Sequence, residues 1–125
     1  MNDPGPHVVA VTGGHDFHEP SLIETCLNHY LVAAKHKPDL LIVASGCGIS
    51  TYVIDWAKKQ GVHYATFHDL WDAFGAAAEP ARDRAMLYAG RPNVLLAFPG
   101  NEKTSKTVRL ARTLGIPVQQ PLLTK

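Results

Sequence analysis

No apolar run in this chain approaches the roughly 20 residues that a membrane-spanning helix needs. The opening residues Met1-Asn2-Asp3-Pro4-Gly5-Pro6 carry neither a basic stretch nor an apolar signal core. A membrane or secretory address is therefore not expected, and a cytoplasmic protein is. Cysteine is scarce. Cys26 and Cys47 form neither a CxxC pair nor a disulfide framework, which fits a reducing compartment. An excess of one charge is also missing: twelve Lys and Arg face eleven Asp and Glu, with no basic block. Without clustered cations to neutralise phosphates, no nucleic-acid partner is expected. The chain also has no internal repeat, linker or low-complexity segment.

What remains is a chain of 125 residues, 46% of them hydrophobic. That suffices for one buried core, so a single domain over 1–125 is expected, with 1–6 as a flexible lead. Five short apolar runs rich in β-branched residues read as buried strands: His7 to Thr12, Leu40 to Ala44, His63 to Phe67, Val94 to Phe98 and Pro117 to Gln119. Helical spacing lies between them. Leu22, Ile23, Cys26, Leu27, Tyr30 and Leu31 share a face in a segment that starts after Pro20-Ser21 and ends near Lys37-Pro38. Ser50 to Gln60 turns Val53, Ile54 and Ala57 inward and stops at Gly61. Pro80 to Ala89 has proline in its first turn and buries Met86 and Leu87. Thr104 to Leu114 buries Val108, Ala111 and Leu114 and stops at Gly115.

Strands that alternate with helices predict a parallel sheet covered on both faces, because parallel neighbours need a crossover. Right-handed crossovers then give an α/β, three-layer, Rossmann-like doubly wound fold. Its mostly parallel five-stranded sheet has the expected order 3-2-1-4-5. In such sheets ligands sit beyond the carboxyl ends of the strands. Three glycine-containing loops share that edge: Thr12 to Ser21, Ser45 to Ser50 and Pro99 to Thr104. Glycine lets a ligand approach the backbone, and a helix starting just beyond directs free N–H groups at an anion. A bare turn explains any one loop. Gly13-Gly14 lacks the Gly-Lys-Ser/Thr of a P-loop, and Ser45-Gly46-Cys47-Gly48 does not complete GxGxxG. Three loops at one edge predict a phosphate or nucleotide pocket.

Single residues around these loops carry weaker signals. His15 and His18 have metal-pair spacing but lack third and fourth ligands, although His63 and His68 are candidates to approach from the third strand, so no metal site is expected. Cys47 stands where a helix N-terminus lowers a thiol pKa, yet no base is identifiable, and a small packed cysteine is the simpler reading. Arg82 lies four residues before Met86 and thus on the same helix side, as an anion ligand or half of a surface ion pair.

Taken in order, several stretches combine. They are Val11-Thr12-Gly13-Gly14; then Phe67, Trp71, Phe74-Gly75, Ala77-Ala78, Pro80, Arg82, Arg84 and Met86; then Ala97-Phe98-Pro99-Gly100, Thr104, Val108 and Ala111. This pattern resembles the YspA-like, YpsA-related branch of the SLOG superfamily, from about residue 7 to 118. The resemblance implies a Rossmann-like fold that binds nucleotides or nucleotide-derived ligands. It also brings a homo-oligomer into view, although no apolar stripe is clearly surplus to the core.

The departures from that pattern are specific. His15 stands where relatives have arginine, Gly48-Ile49-Ser50 where they have Gly-x-Asp, Asp83 where many have asparagine and Glu79 where they have glycine. The fourth loop reads Pro99-Gly100-Asn101-Glu102-Lys103-Thr104 in place of Pro-Gly-Gly-x-Gly-Thr. Thr107 occupies the position of a glutamate in the related LOG enzymes, which cleave cytokinin nucleotide N-glycosidic bonds. A carboxylate for an oxocarbenium-like centre is missing there.

The expected function is binding or sensing of a nucleotide-like small molecule, without catalysis and with no firmly implied cofactor. The expected pocket residues are Thr12, Gly13, Gly14, His15, Ser45, Gly46, Gly48, Arg82, Pro99, Gly100, Lys103 and Thr104. With His15 as an anion ligand, phosphate affinity is expected to rise as pH falls. The alternatives are an N-glycoside or phosphoester hydrolase using Asp16, Asp83 or Glu102, and a structural protein with a degenerate pocket.

Overall fold

The run Val8–Thr12 forms β1, and all five of its side chains are buried. Such a strand has to be covered on both faces. The computed structural model describes residues 6–14, 17, 19–44, 48–67, 78–100 and 102–120, with only the main chain for 78–81 and 102–103. Around β1 the chain builds β2 (Leu40–Ala44), β3 (Tyr64–Phe67), β4 (Val94–Ala97) and β5 (Val118–Gln119). The four helices of the described residues are α1 (Pro20–Ala34), α2 (Ser50–Gln60), α3 (Ala78–Gly90) and α4 (Glu102–Thr113).

The five strands form one sheet in the order β3-β2-β1-β4-β5, and every pairing is parallel. The expected doubly wound fold is the observed one. β1 is central because it pairs with β2 on one side, Val8 opposite Leu40, and with β4 on the other, Thr12 opposite Ala97.

Alternate strand residues feed two cores. On one face Val9, Val11, Leu41, Val43 and Leu96 meet Ile23 and Leu27 of α1 and Val53, Trp56 and Ala57 of α2. On the other, Val8, Ala10, Ile42, Ala44, Leu95 and Ala97 meet Met86 and Leu87 of α3 and Val108 and Ala111 of α4. Burying each large aliphatic side chain in these layers contributes about 1.5–3 kcal/mol.

The elements differ from expectation mainly at their ends. β1, β3 and β5 begin one residue later than the apolar runs, and β4 ends one residue earlier. α3 begins two residues before Pro80, and α4 two before Thr104. α1 stops at Ala34, three residues before Lys37, because Lys35 takes the left-handed conformation (φ 68°) and donates its N–H to the Leu31 carbonyl. No glycine marks that stop. Gly61 and Gly115 do mark theirs, with φ of 70° and 79°.

Two side-chain placements also differ. Leu22, expected inward, is 44% exposed. Trp56 joins the α2 core and donates its indole N–H to Asn28 Oδ1 at 2.8 Å, tying α2 to α1. No helix among the described residues is long and apolar enough to cross a membrane.

Candidate functional site

In a parallel sheet the carboxyl ends of the strands and the N-termini of the following helices share one edge. β1 and β4 are spatial neighbours without being consecutive, so the connections leaving them diverge there. That crevice is where doubly wound sheets hold ligands. The N-terminal ends of α2 and α4 point toward the same edge and bring their positive dipole ends with them.

The described parts of three loops meet there. The Thr12 carbonyl accepts the Phe98 N–H at 2.9 Å, which keeps the two chains together past the end of the ladder. A methyl group on Gly13 would stand 3.2 Å from both Ile49 Cδ1 and Phe98 Cβ, so the loop after β2 contacts the loop after β1 through Ile49. Gly14 donates its N–H to the Pro99 carbonyl at 3.0 Å, and a side chain on Gly14 would stand 2.7 Å from Gly100 Cα. A side chain on Gly100 would collide with Thr104. None of these three glycines has a positive φ. Their requirement is for space: the backbones of two loops touch where a Cβ would keep them apart.

Phe17 closes the first loop inward. Its N–H reaches the Gly14 carbonyl at 3.3 Å, and its ring stacks on Phe98 with centroids 6.0 Å apart. Phe98 and Ile49 are fully buried and form an apolar support beneath the glycines. Sequence reasoning missed this pair. The available signal was an apolar residue, Ile49, alone in a small polar loop just before a helix start.

Arg82 is buried, as its spacing from Met86 predicts, and its guanidinium is turned onto its neighbour. Its Nε and one Nη both donate to Asp83 Oδ1 at 3.1 Å. The other carboxylate oxygen, Asp83 Oδ2, accepts the Thr107 hydroxyl at 3.1 Å. The side chains of Arg82 and Asp83 are 6% and 16% exposed, so this network ties α3 to α4 and is not a surface ion pair. Thr107 lies one helical turn beyond Thr104, so the network adjoins the Gly100 corner. Burying an ion pair is costly unless both charges are hydrogen-bonded, and Thr107 supplies part of that bonding. A hydroxyl donor thus stands at position 107, and a carboxylate from α3 rests on it.

Of the expected pocket residues, Thr12, Gly13, Gly14, Pro99, Gly100 and Thr104 come together. Gly48 lies in the turn next to Ile49, and Arg82 lies behind the edge. His15, Ser45, Gly46 and the side chain of Lys103 lie outside the described residues. So do Asp16, His18, Cys47, His68 and the side chain of Glu102.

His63 stands far from the described part of the loop after β1. It precedes β3, with its carbonyl accepting the Leu41 N–H, and so sits at the edge of the sheet opposite Gly13 and Gly14, a strand length of roughly 15 Å away. Among the described residues no group of three or more His, Cys, Asp or Glu is placed to hold a metal ion.

The geometry offers main-chain groups, helix ends and one buried, partnered arginine, with an apolar floor. The Asp83 carboxylate is already engaged by Arg82 and Thr107. No family model matches this chain, and no curated protein matches it.

Proposed function

We propose that the carboxyl edge of the sheet binds or senses a nucleotide or nucleotide-derived small molecule, as the likeness to the YspA-like branch of the SLOG superfamily implies. One observation supports this above the others: at the switch point between β1 and β4 the described parts of three separate loops pack on one another through Gly13, Gly14, Ile49 and Gly100. Turns that merely reverse the chain have no need to converge. Helix N-termini at the same edge favour an anionic group on the ligand. The same likeness suggests self-association, and a cytoplasmic setting is part of this reading.

The test is a thermal-shift screen of the protein against mono- and dinucleotides, ADP-ribose and molybdopterin-like compounds. The variants His15→Ala and Lys103→Ala are run alongside; they remove candidate anion ligands and leave Gly14 and Gly100 as they are. A ligand at a hundred times its Kd adds about 2.7 kcal/mol to stability. The proposal expects one class to raise Tm and the variants to weaken the shift. No shift with any compound contradicts it.

A second reading, a structural protein whose pocket has closed, is favoured by two bonds: the Gly14 N–H is taken by the Pro99 carbonyl, and Arg82 by Asp83. A flat thermal-shift screen is its expected result.

A further inference from the structure

At the edge of the sheet opposite the glycine loops, His7 joins three parts of the chain. Its main-chain N–H donates to Asp39 Oδ2 at 2.7 Å, and its carbonyl accepts the Asp39 and Leu40 N–H groups at 2.8 and 3.3 Å. Its ring Nε2 lies 2.6 Å from the Tyr30 hydroxyl of α1. The edge of the His36 ring packs against it with centroids 4.8 Å apart. The start of β1, the end of α1 and the connection leading into β2 therefore all meet at one imidazole.

Ring Nδ1 of His7 is buried without a hydrogen-bond partner. A bare lone pair is tolerated in such a place better than an N–H, since an unsatisfied buried donor forfeits its hydration. The proton of the neutral ring thus belongs on Nε2, donated to the Tyr30 oxygen, an assignment made from the bonding pattern. Adding a second proton puts an N–H and a positive charge at Nδ1, which has no hydrogen bond formed, with the Lys37 main chain as the acceptor near the ring.

The groups that act on the ring, among the described residues, are Tyr30 from α1 and, from the connection, His36, Asp39 and the main chain of Lys37. Tyr30 offers no compensating charge, because burial raises its phenol above the usual range. His36, when protonated, repels. The Asp39 carboxylate attracts but already holds the His7 main-chain N–H. The balance lies below the ordinary histidine value: burial is the largest cause, the His36 charge adds to it, and Asp39 and the Lys37 main chain oppose it.

We propose that His7 is an acid-released joint, a neutral ring that pins the start of β1 to the end of α1 and to the connection into β2, and lets go when it is protonated. The sign follows from the lowered value. The joint is at full strength above the opened-state pKa of about 6.5. It weakens as pH falls from there toward the folded-state value, because the opened form binds the proton more tightly. Within that window the opening equilibrium rises by up to about tenfold per pH unit. The consequence is a regulated loosening of one sheet edge that needs no ligand.

The test follows the His7 ring by NMR between about pH 7.5 and 5.5, across the histidine range, together with hydrogen-exchange protection factors for the Asp39 and Leu40 amides. His36→Gln changes an exposed side chain and removes the nearest like charge. In the unmodified protein, His7 is expected to titrate below the ordinary histidine value of about 6.5. Protection at Asp39 and Leu40 is expected to fall through that window by severalfold, while protection at Ile42 and Val43 holds. In His36→Gln the His7 midpoint is expected to rise and the loss of protection to shrink. His7 titrating at or above the ordinary histidine value of about 6.5, protection unchanged across the window, or protection lost equally throughout β2 would each overturn the proposal.

Discussion

The backbones of Gly14 and Gly100 touch: a Cβ on Gly14 would stand 2.7 Å from Gly100 Cα and 3.2 Å from the Pro99 carbonyl oxygen. Both obstacles are main chain and cannot swing aside as a side chain would. Gly14→Ala is therefore expected to cost about 1–3 kcal/mol, the range for overpacking a close contact, read from urea unfolding. Gly61→Ala makes a useful contrast. Space is open there apart from the far end of Lys37, and the cost comes from φ alone, about 1 kcal/mol. A Gly14→Ala variant as stable as the parent protein would show that the two loops do not meet.

Asp83 balances a charge that is almost entirely buried, since the Arg82 side chain is 6% exposed. Asp83→Ala removes that balance and is expected to cost about 3 kcal/mol, near the lower end for breaking a buried pair. Thr107→Val removes one hydrogen bond to the carboxylate and is expected to cost about 1 kcal/mol. In a double-mutant cycle the two losses should be non-additive, because both act on one carboxylate. Additive losses would place Thr107 outside the network.

Lys35 ends α1 in the left-handed conformation without the residue that favours it. Lys35→Gly relieves the steric cost of a Cβ there, roughly 1 kcal/mol, and its side chain is exposed. The variant is expected to raise stability by about 0.5–1 kcal/mol in chemical unfolding. A loss of stability would mean that Lys35 does more in the fold than end the helix.

The architecture was legible because its signals are redundant. β1 and β2 read as apolar runs, Gly61 and Gly115 punctuate two helices, and right-handed crossovers leave few ways to order five parallel strands. Helix ends without glycine were not legible: nothing at Lys35 signals a positive φ. The candidate site was legible only as loops that share an edge. That Gly13 packs on Ile49 depends on a distance between residues far apart in the chain, and that Arg82 turns onto Asp83 depends on the choice of one rotamer. Local pattern carries neither. The glycines at this edge were read as room for a ligand at the backbone; their φ values are ordinary, and the close approach of the loops to one another also requires them.

The central claim is that the crevice between β1 and β4 holds a nucleotide-like ligand. The most direct measurement is a backbone amide NMR titration with the compound that raises Tm most. The account expects the largest shifts at Gly13, Gly14, Gly100 and Thr104, and none at Gly61 and Gly115, which precede β3 and β5 at the opposite edge. Shifts centred on Gly61 and Gly115, or no shifts at ligand concentrations that saturate the thermal response, would contradict it.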